Sequence, residues 1–150
     1  MTLNHRLVGT VLPRTPPYQV TRVKIREFAD ALGDRNPLHH DVQAARRAGH
    51  ADLVAPPTFA IVVTREAGQA LIRLPGLGLD YSRVVHGEQG FQHVQPIVAG
   101  QELTTTLEIT AMRTAGRHEI LTYRADVHEG DDLVCRAHAT LVSRDTAPVA

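Results

Sequence analysis

The sequence predicts an α+β domain in which helices come first and an antiparallel sheet follows. Two observations carry this prediction. Apolar residues recur at helical spacing in the first half of the chain, between residues 21 and 74. From residue 84 onward, apolar and polar residues alternate with the period of two that a half-buried strand shows. Helices gathered on one face of an antiparallel sheet define the α+β class.

The composition fits one globular domain spanning residues 1–150. Apolar residues make up 43% and charged residues 21% of the chain, as in ordinary globular proteins. Lys plus Arg and Asp plus Glu number 16 each, so the formal charge is zero. This balance argues against nucleic acid or an anionic membrane as a partner, because binding to either is driven by a basic excess. It also gives little protection against self-association, so we expect an oligomer.

Several features of the chain predict its compartment. The single cysteine, Cys135, excludes an intrachain disulfide and a cysteine-based zinc site, and its alternation with apolar neighbours places it in the core. Residues 1–10 show no basic run followed by an apolar stretch, so no signal peptide is expected. The apolar run Phe59 to Val63 is too short to span a membrane. We therefore expect a cytoplasmic protein, with a disordered tail after about residue 144.

Three helices are predicted in the first half. The first covers Thr21 to Leu32, with Thr21 as the N-cap and Gly33 as the stop, and its apolar stripe comprises Ile25, Phe28, Ala29 and Leu32. A short second helix covers residues 41–48. The third, Thr58 to Leu74, follows Pro56-Pro57, because proline suits the first turn of a helix. Its length of about 16 residues favours a helix over a buried strand.

Four strands are predicted in the second half. The first covers Val84 to Val94. The other three alternate strictly, with turns at residues 114–116 and 129–131. Their apolar faces are Leu103, Thr105, Leu107, Ile109 and Ala111; then Leu121, Tyr123, Ala125 and Val127; then Leu133, Cys135, Ala137, Ala139 and Leu141.

The segment after the first helix carries the clearest chemical signal, Gly33-Asp34-Arg35-Asn36-Pro37-Leu38-His39. Proline disfavours a helical conformation for Asn36, so this segment is a loop, and Asn36 can brace it through side-chain bonds to the backbone. The turn lets Asp34 and His39, five residues apart, converge on one point. A carboxylate and an imidazole aimed at one water can divide general acid and base work between them.

This run of residues resembles the hydratase motif of the MaoC-like and (R)-specific enoyl-thioester hydratases, and Phe28 and Ala45 also fit. The segments 54–59, 85–89 and 96–100 resemble short MaoC-like dehydratase N-terminal domains, so the resemblance covers nearly the whole chain. It implies a hot dog fold, in which a long central helix, here Thr58 to Leu74, is wrapped by an antiparallel sheet. It also implies that two such folds pair, with the active site near their interface.

The resemblance implies an activity as well, the reversible addition of water to a trans-2-enoyl thioester to give an (R)-3-hydroxyacyl thioester. Asp34 and His39 would be the catalytic pair, and we expect Asp34 to be the main base. The substrate would be carried by coenzyme A or an acyl carrier protein, with no other cofactor and no metal. The expected assembly is a homodimer or higher oligomer, with a heterodimer as the alternative.

Residues for substrate binding follow from the same resemblance. Asn36 lies beside the pair, and the start of the third helix would supply N–H donors to the developing enolate. Because Pro56 and Pro57 have no N–H, these donors would come from Thr58, Phe59 or another segment. Thr64 lies about where relatives carry a serine, and His86 and Gly87 are expected to line the substrate channel.

Simpler interpretations of these residues stay open. The Asp34 turn could be only a helix end followed by a surface histidine, and His40 is the reserve candidate if the catalytic histidine lies one step later. The histidines and acids around it lack a familiar zinc spacing, which favours solvated side chains. Four arginines could contact the phosphates of the carrier or be ordinary solvated charges: Arg46, Arg47, Arg65 and Arg73.

Two alternative functions also stay open. The chain could be a non-catalytic or partner-dependent subunit of a heteromeric 3-hydroxyacyl-ACP dehydratase, although relatives of that kind tend to lack the Asp and His pair. It could instead be a hot dog acyl thioesterase, which would release a free thiol from its substrate.

Overall fold

A computed structural model describes residues 2–148 of the chain. Its centre is one five-stranded sheet of order β1-β3-β4-β5-β2, in which all neighbours are antiparallel. The strands are β1 (Tyr18–Gln19), β2 (Val84–His93), β3 (Glu102–Ala115), β4 (His118–Glu129) and β5 (Asp132–Ser143). The predicted α+β class and the predicted meander of β3, β4 and β5 are confirmed.

Four helices occur in the described part of the chain: α1 (Arg22–Leu32), α2 (Val42–Arg47), α3 (Ala60–Val63) and α4 (Arg65–Ile72). The ends of α1 lie where the sequence predicts them. The Thr21 side chain accepts from the Lys24 N–H, and Gly33 ends the helix with a φ of 70°, which glycine adopts without strain. Among residues 2–148, no helix is long and apolar enough to cross a bilayer.

The predicted third helix is wrong in one respect, because it is not continuous from Thr58 to Leu74. It begins at Ala60, since the Phe59 N–H bonds to the Pro56 carbonyl in a tight turn at 2.9 Å. It is then interrupted at Thr64, whose hydroxyl donates to the Ala60 carbonyl at 3.0 Å. A threonine that bonds back to the preceding turn bends a helix, which accounts for the break between α3 and α4.

The core lies between these helices and the apolar face of the sheet. One cluster joins Phe59, Ala60 and Val63 to the ends of β3, β4 and β5, and Phe28 packs edge-on against Phe59 with ring centroids 5.4 Å apart. A second cluster joins Ala67 and Leu71 to the middle of the same strands. The two helical pieces therefore bury their apolar sides along the length of the sheet.

Two β-bulges shift the predicted strand faces. The register of β3 slips at Thr110, so Ala111 is exposed and Met112 packs against the core instead. In β5 the register slips near Val134, which is buried where Leu133 was expected. A bulge adds one residue to one strand, so the side chains on its two sides follow different alternations, which a single alternating pattern cannot reveal.

The start of the tail is held by the sheet. The Arg144 N–H donates to the Arg83 carbonyl, the Ala147 N–H donates to the Arg117 carbonyl, and the Thr146 hydroxyl bonds to Ser143. These contacts differ from the expected disorder. Residues 149 and 150 lie outside the described residues, so the prediction for the last part of the tail stays a prediction.

Candidate active site

The turn that carries the candidate site is built by hydrogen bonds within a few residues. After Gly33 ends α1, the Asp34 N–H donates back to the Ala29 carbonyl at 2.9 Å. Residues 37–39 then form a single 3-10 turn, capped by the Asn36 side chain, which accepts from the Leu38 N–H at 3.1 Å. Asn36 thus braces the turn, as the sequence predicts.

Asp34 and His39 converge across this turn. Their Oδ2 and Nε2 atoms lie 3.1 Å apart. The imidazole is almost completely buried, with 5% of the residue exposed, whereas 36% of the Asp34 side chain remains accessible. The two side chains therefore converge as the sequence predicts, with the carboxylate on the solvent side of the contact and the imidazole on the buried side.

A main-chain carbonyl sets the proton position on His39. The Nδ1 atom lies 2.6 Å from the Val54 carbonyl oxygen, which can only accept. Nδ1 therefore carries a hydrogen in either charge state, and a neutral ring leaves Nε2 without one. The atom that faces Asp34 is accordingly a proton acceptor when the ring is neutral.

The electrostatics of Asp34 favour its charged form. Its Oδ1 accepts from the Asn36 N–H at 3.0 Å, and this hydrogen bond is the main cause that lowers the pKa of the carboxyl below its usual range. The neighbouring His39 and His40 side chains lower the pKa of Asp34 further. Asp34 is therefore ionised at neutral pH.

The surroundings of the pair are open in the single chain. Asp34 lines a pocket of about 490 Å³ together with Asp30, Gly33, Arg35, Pro37, His40 and Asp41. A neighbouring pocket of about 370 Å³ includes Val54 and His93. Asp34 lines the first of these two pockets, and His39 lines neither. The chain thus covers His39 but leaves the Asp34 side of the pair open to solvent.

The start of α3 offers donors, but not all of those expected. Within the described part of the chain, the N–H groups of Thr58 and Ala60 have no main-chain acceptor. The Phe59 N–H already bonds to the Pro56 carbonyl, and its ring is fully buried in the core. Thr58, which is exposed, remains a candidate donor, whereas Ala60 is fully buried in this chain.

Thr64 and His86 lie in a different place from the pair. Both line a groove of about 790 Å³ between α3, α4 and the sheet, together with Lys24, Arg65 and Tyr123. The Thr64 hydroxyl is occupied by the Ala60 carbonyl, and the His86 ring lies 3.1 Å from the Gln89 side chain. Gly87 sits at a bulge in β2, where an added Cβ would meet Val142 at 3.2 Å. Thr64 and His86 therefore lie in a groove that is separate from the turn with Asp34 and His39.

Several further side chains take defined roles. His93 bonds to the Pro57 carbonyl at 2.7 Å and so ties β2 to the start of α3. Arg46 faces Asp52 and Arg47 faces Asp41. Arg65, in contrast, lines the groove. Cys135 is fully buried, and burial raises the pKa of its thiol to about 11, as expected for a core residue. No sequence pattern indicates the His93 contact, because its partner is a main-chain atom 36 residues away.

The family and fold of the chain follow from its similarity to known proteins. The profile of a family described as FAS1-like, dehydratase domain region, matches residues 6–135. The chain is 48% identical over 149 residues to a protein of Saccharopolyspora erythraea named UPF0336 protein, covering 98% of this chain and 95% of the relative.

Two solved structures are similar. One is a complex described as C-terminally truncated HadBC (3R-hydroxyacyl-ACP dehydratase) from Mycobacterium tuberculosis, with a TM-score of 0.82 and 28% identity over 91% of this chain and 96% of that one. The other is a MaoC-like dehydratase, with a TM-score of 0.81 and 30% identity over 92% of this chain and 42% of that one. The hot dog fold and the resemblance to MaoC-like dehydratases are both confirmed.

Proposed function

The chain belongs to the family described as FAS1-like, dehydratase domain region, and from that premise we propose that it is a hydro-lyase acting on acyl thioesters. The reaction is the reversible hydration of a trans-2-enoyl thioester to an (R)-3-hydroxyacyl thioester, carried by coenzyme A or an acyl carrier protein, with no further cofactor. The contact of 3.1 Å between Asp34 and His39, with the ring anchored on Val54, is the observation that carries this proposal.

The charge states of the pair explain how it would hold a water molecule. An ionised carboxylate and a neutral imidazole with a bare Nε2 are two acceptors, and two acceptors cannot bond to each other. A water that lies beside this contact, within hydrogen-bond reach of both atoms, can donate one hydrogen to each side chain. Its oxygen lone pairs then point outward, towards C3 of an enoyl group.

The proton steps follow from this arrangement. As the water oxygen bonds to C3, Nε2 of His39 takes one proton and the Asp34 carboxylate stabilises the resulting imidazolium. The imidazolium then returns a proton to C2, so that the product gains OH at C3 and H at C2. The sequence-based expectation made Asp34 the main base. We propose the orienting role for Asp34 instead, because the Asn36 N–H lowers the pKa of its carboxyl and so favours the charged form.

The start of α3 supports the other half of the reaction. Negative charge develops on the thioester carbonyl as the enolate forms, and N–H groups aimed at that oxygen stabilise it. Thr58 is exposed and follows Val54, the anchor of His39, by four residues. In the described part of the chain its N–H has no main-chain acceptor, and it is the donor that we assign to the enolate.

The open edge of β2 supports an assembly that completes the site. β2 is ten residues long and pairs with β5 on one side only. Such an edge readily pairs with another chain, and the pair at Asp34 is not enclosed by its own chain. We propose that a second subunit, either a copy of this chain or a related one, covers this edge and closes the substrate channel.

Purified protein mixed with crotonyl-CoA, and with the same acyl group on a carrier protein, tests the proposal. A hydratase consumes the enoyl absorbance and forms the (R)-3-hydroxy product, identified by chiral chromatography, without release of thiol. Release of thiol would instead indicate a thioesterase. Activity that needs a second, related subunit would support the partner-dependent alternative. Absence of hydration in both settings, with folded protein, would refute the proposal.

A further inference from the structure

His40 is bound to the main chain of Asp34. Its Nε2 atom lies 2.8 Å from the Asp34 carbonyl oxygen, and because that oxygen only accepts, Nε2 carries the hydrogen. His39 and His40 are therefore held through opposite ring nitrogens. His39 is held through Nδ1 and presents Nε2 to the carboxylate, whereas His40 is held through Nε2 and presents Nδ1 to the outside.

This geometry speaks against His40 as a catalyst. Its donor is directed at the carbonyl of Asp34 and away from the carboxylate, and its Nδ1 lies 3.9 Å from the exposed Asp30 side chain. The two imidazole centroids are 6.4 Å apart and the rings share no hydrogen bond. What His40 contacts is the backbone that carries the carboxylate.

His40 is itself fixed to α1. The Arg26 side chain donates from Nε to the His40 carbonyl at 3.2 Å, and the ring is about two-thirds covered. Asp34 is thus bound at both of its main-chain groups, through its N–H to Ala29 and through its carbonyl to His40. With both ends of its backbone bonded, the direction of its side chain towards His39 is set.

We propose that His40 is a positioning residue that holds the peptide of Asp34 so that its carboxylate faces Nε2 of His39. This inference rests on the proposed hydration reaction for its kinetic meaning, although the contact itself does not. Misplacement of a catalytic group by about 1 Å is enough to slow a reaction by about a hundredfold. Loss of this one hydrogen bond should therefore lower kcat more than KM.

Two substitutions separate the hydrogen bond from the imidazole. Glutamine carries an amide nitrogen about as far from the backbone as Nε2, so His40→Gln can still donate to Asp34. Asparagine ends near the position of Nδ1, so His40→Asn cannot reach. Both remove the titrating ring equally. His138→Asn, an exposed histidine on β5 that lies outside the turn, is the matched control.

We expect His40→Asn to lower kcat about ten- to a hundredfold while KM changes by less than about threefold, with His40→Gln and His138→Asn near wild type. Equal losses in the Gln and Asn variants, or wild-type rates in both, would overturn the positioning role.

A second readout works without activity and separates failure of this inference from failure of the proposed function. Carbon NMR of the Asp34 carboxyl reports its pKa. In His40→Asn this pKa should rise towards the ordinary aspartate value, because the contacts with the Asn36 N–H and His39 loosen, whereas in His40→Gln it should stay lower. Equal pKa values in the two variants would overturn the inference even if the wild type hydrates no thioester.

Discussion

Around Asp34 and His39 the polar groups of the turn find partners within the same chain, whereas one edge of strand β2 has no partner among residues 2–148. The turn is fixed by bonds to Ala29, Asn36 and Val54. β2 is held by β5 alone, and Val85 and most of its other residues are exposed. The comparison teaches that one chain can fix a polar turn by itself and still leave a strand edge available to a second chain.

The largest effect is expected at the turn. Asp34→Asn removes the charge, and His39→Asn keeps a donor near Nδ1 for the Val54 carbonyl while removing Nε2. Each should lower kcat at least about a hundredfold, the usual contribution of a general acid or base. Steady-state hydration rates and thermal unfolding, measured together, check this. Rates near wild type in folded variants would remove the pair from the mechanism.

The second effect concerns the open edge. An added Cβ at Gly90 meets nothing within 4 Å, so Gly90→Glu should leave the fold intact while placing a charge where a partner would pair. We expect the dissociation constant of the assembly to rise at least about tenfold, equivalent to about 1.4 kcal/mol, and activity to fall with it.

Analytical ultracentrifugation over a concentration series measures this change. Val23→Glu, at a position on α1 that is 73% exposed, is the control and should not alter assembly. If Gly90→Glu associates as the wild type does, β2 is not the interface.

A smaller effect distinguishes two glycines within β2. A Cβ added at Gly87, in the bulge, would meet the Val142 side chain at 3.2 Å and the Thr140 carbonyl at 3.4 Å. Gly87→Ala should therefore lower the free energy of unfolding by about 1 kcal/mol. Gly90→Ala meets no such obstacle and should be neutral or stabilising by about 0.5 kcal/mol. Denaturant midpoints of the two variants measure this difference. Equal destabilisation would show that position 87 is no more crowded by β5 than position 90.

The smallest effect at neutral pH is expected at Cys135. This residue of β5 lies opposite His93, on the side of β2 that is paired. Because burial raises the pKa of the thiol to about 11, Cys135 should react slowly with a thiol reagent at pH 8 and quickly once the chain unfolds. The free energy of unfolding should be unaffected by this group below the pKa of an unfolded thiol and fall as the pH rises from about 9 towards 11. Rapid labelling of folded protein at pH 8 would mean that β2 separates from β5.

The features that the sequence predicted are those whose cause is local. Thr21, Gly33 and Asn36 act on atoms a few residues away, so the ends of α1 and the shape of the turn followed from their order. The break at Thr64 did not, because its hydroxyl competes with a helix that the apolar pattern favours throughout. The bulges at Thr110 and Val134, and the contacts of His40 and His93 with main-chain carbonyls, leave no periodic signal.

The anchor of His39 has a consequence for variation at position 54. The acceptor is the carbonyl of Val54, which every amino acid possesses, so changing the side chain there leaves the proton arrangement of the ring intact. Only proline is excluded, because the Val54 N–H donates to the Leu38 carbonyl. Since Val54 also lines the neighbouring pocket, a mutant library at this position could reshape that pocket while the carbonyl continues to hold the His39 ring.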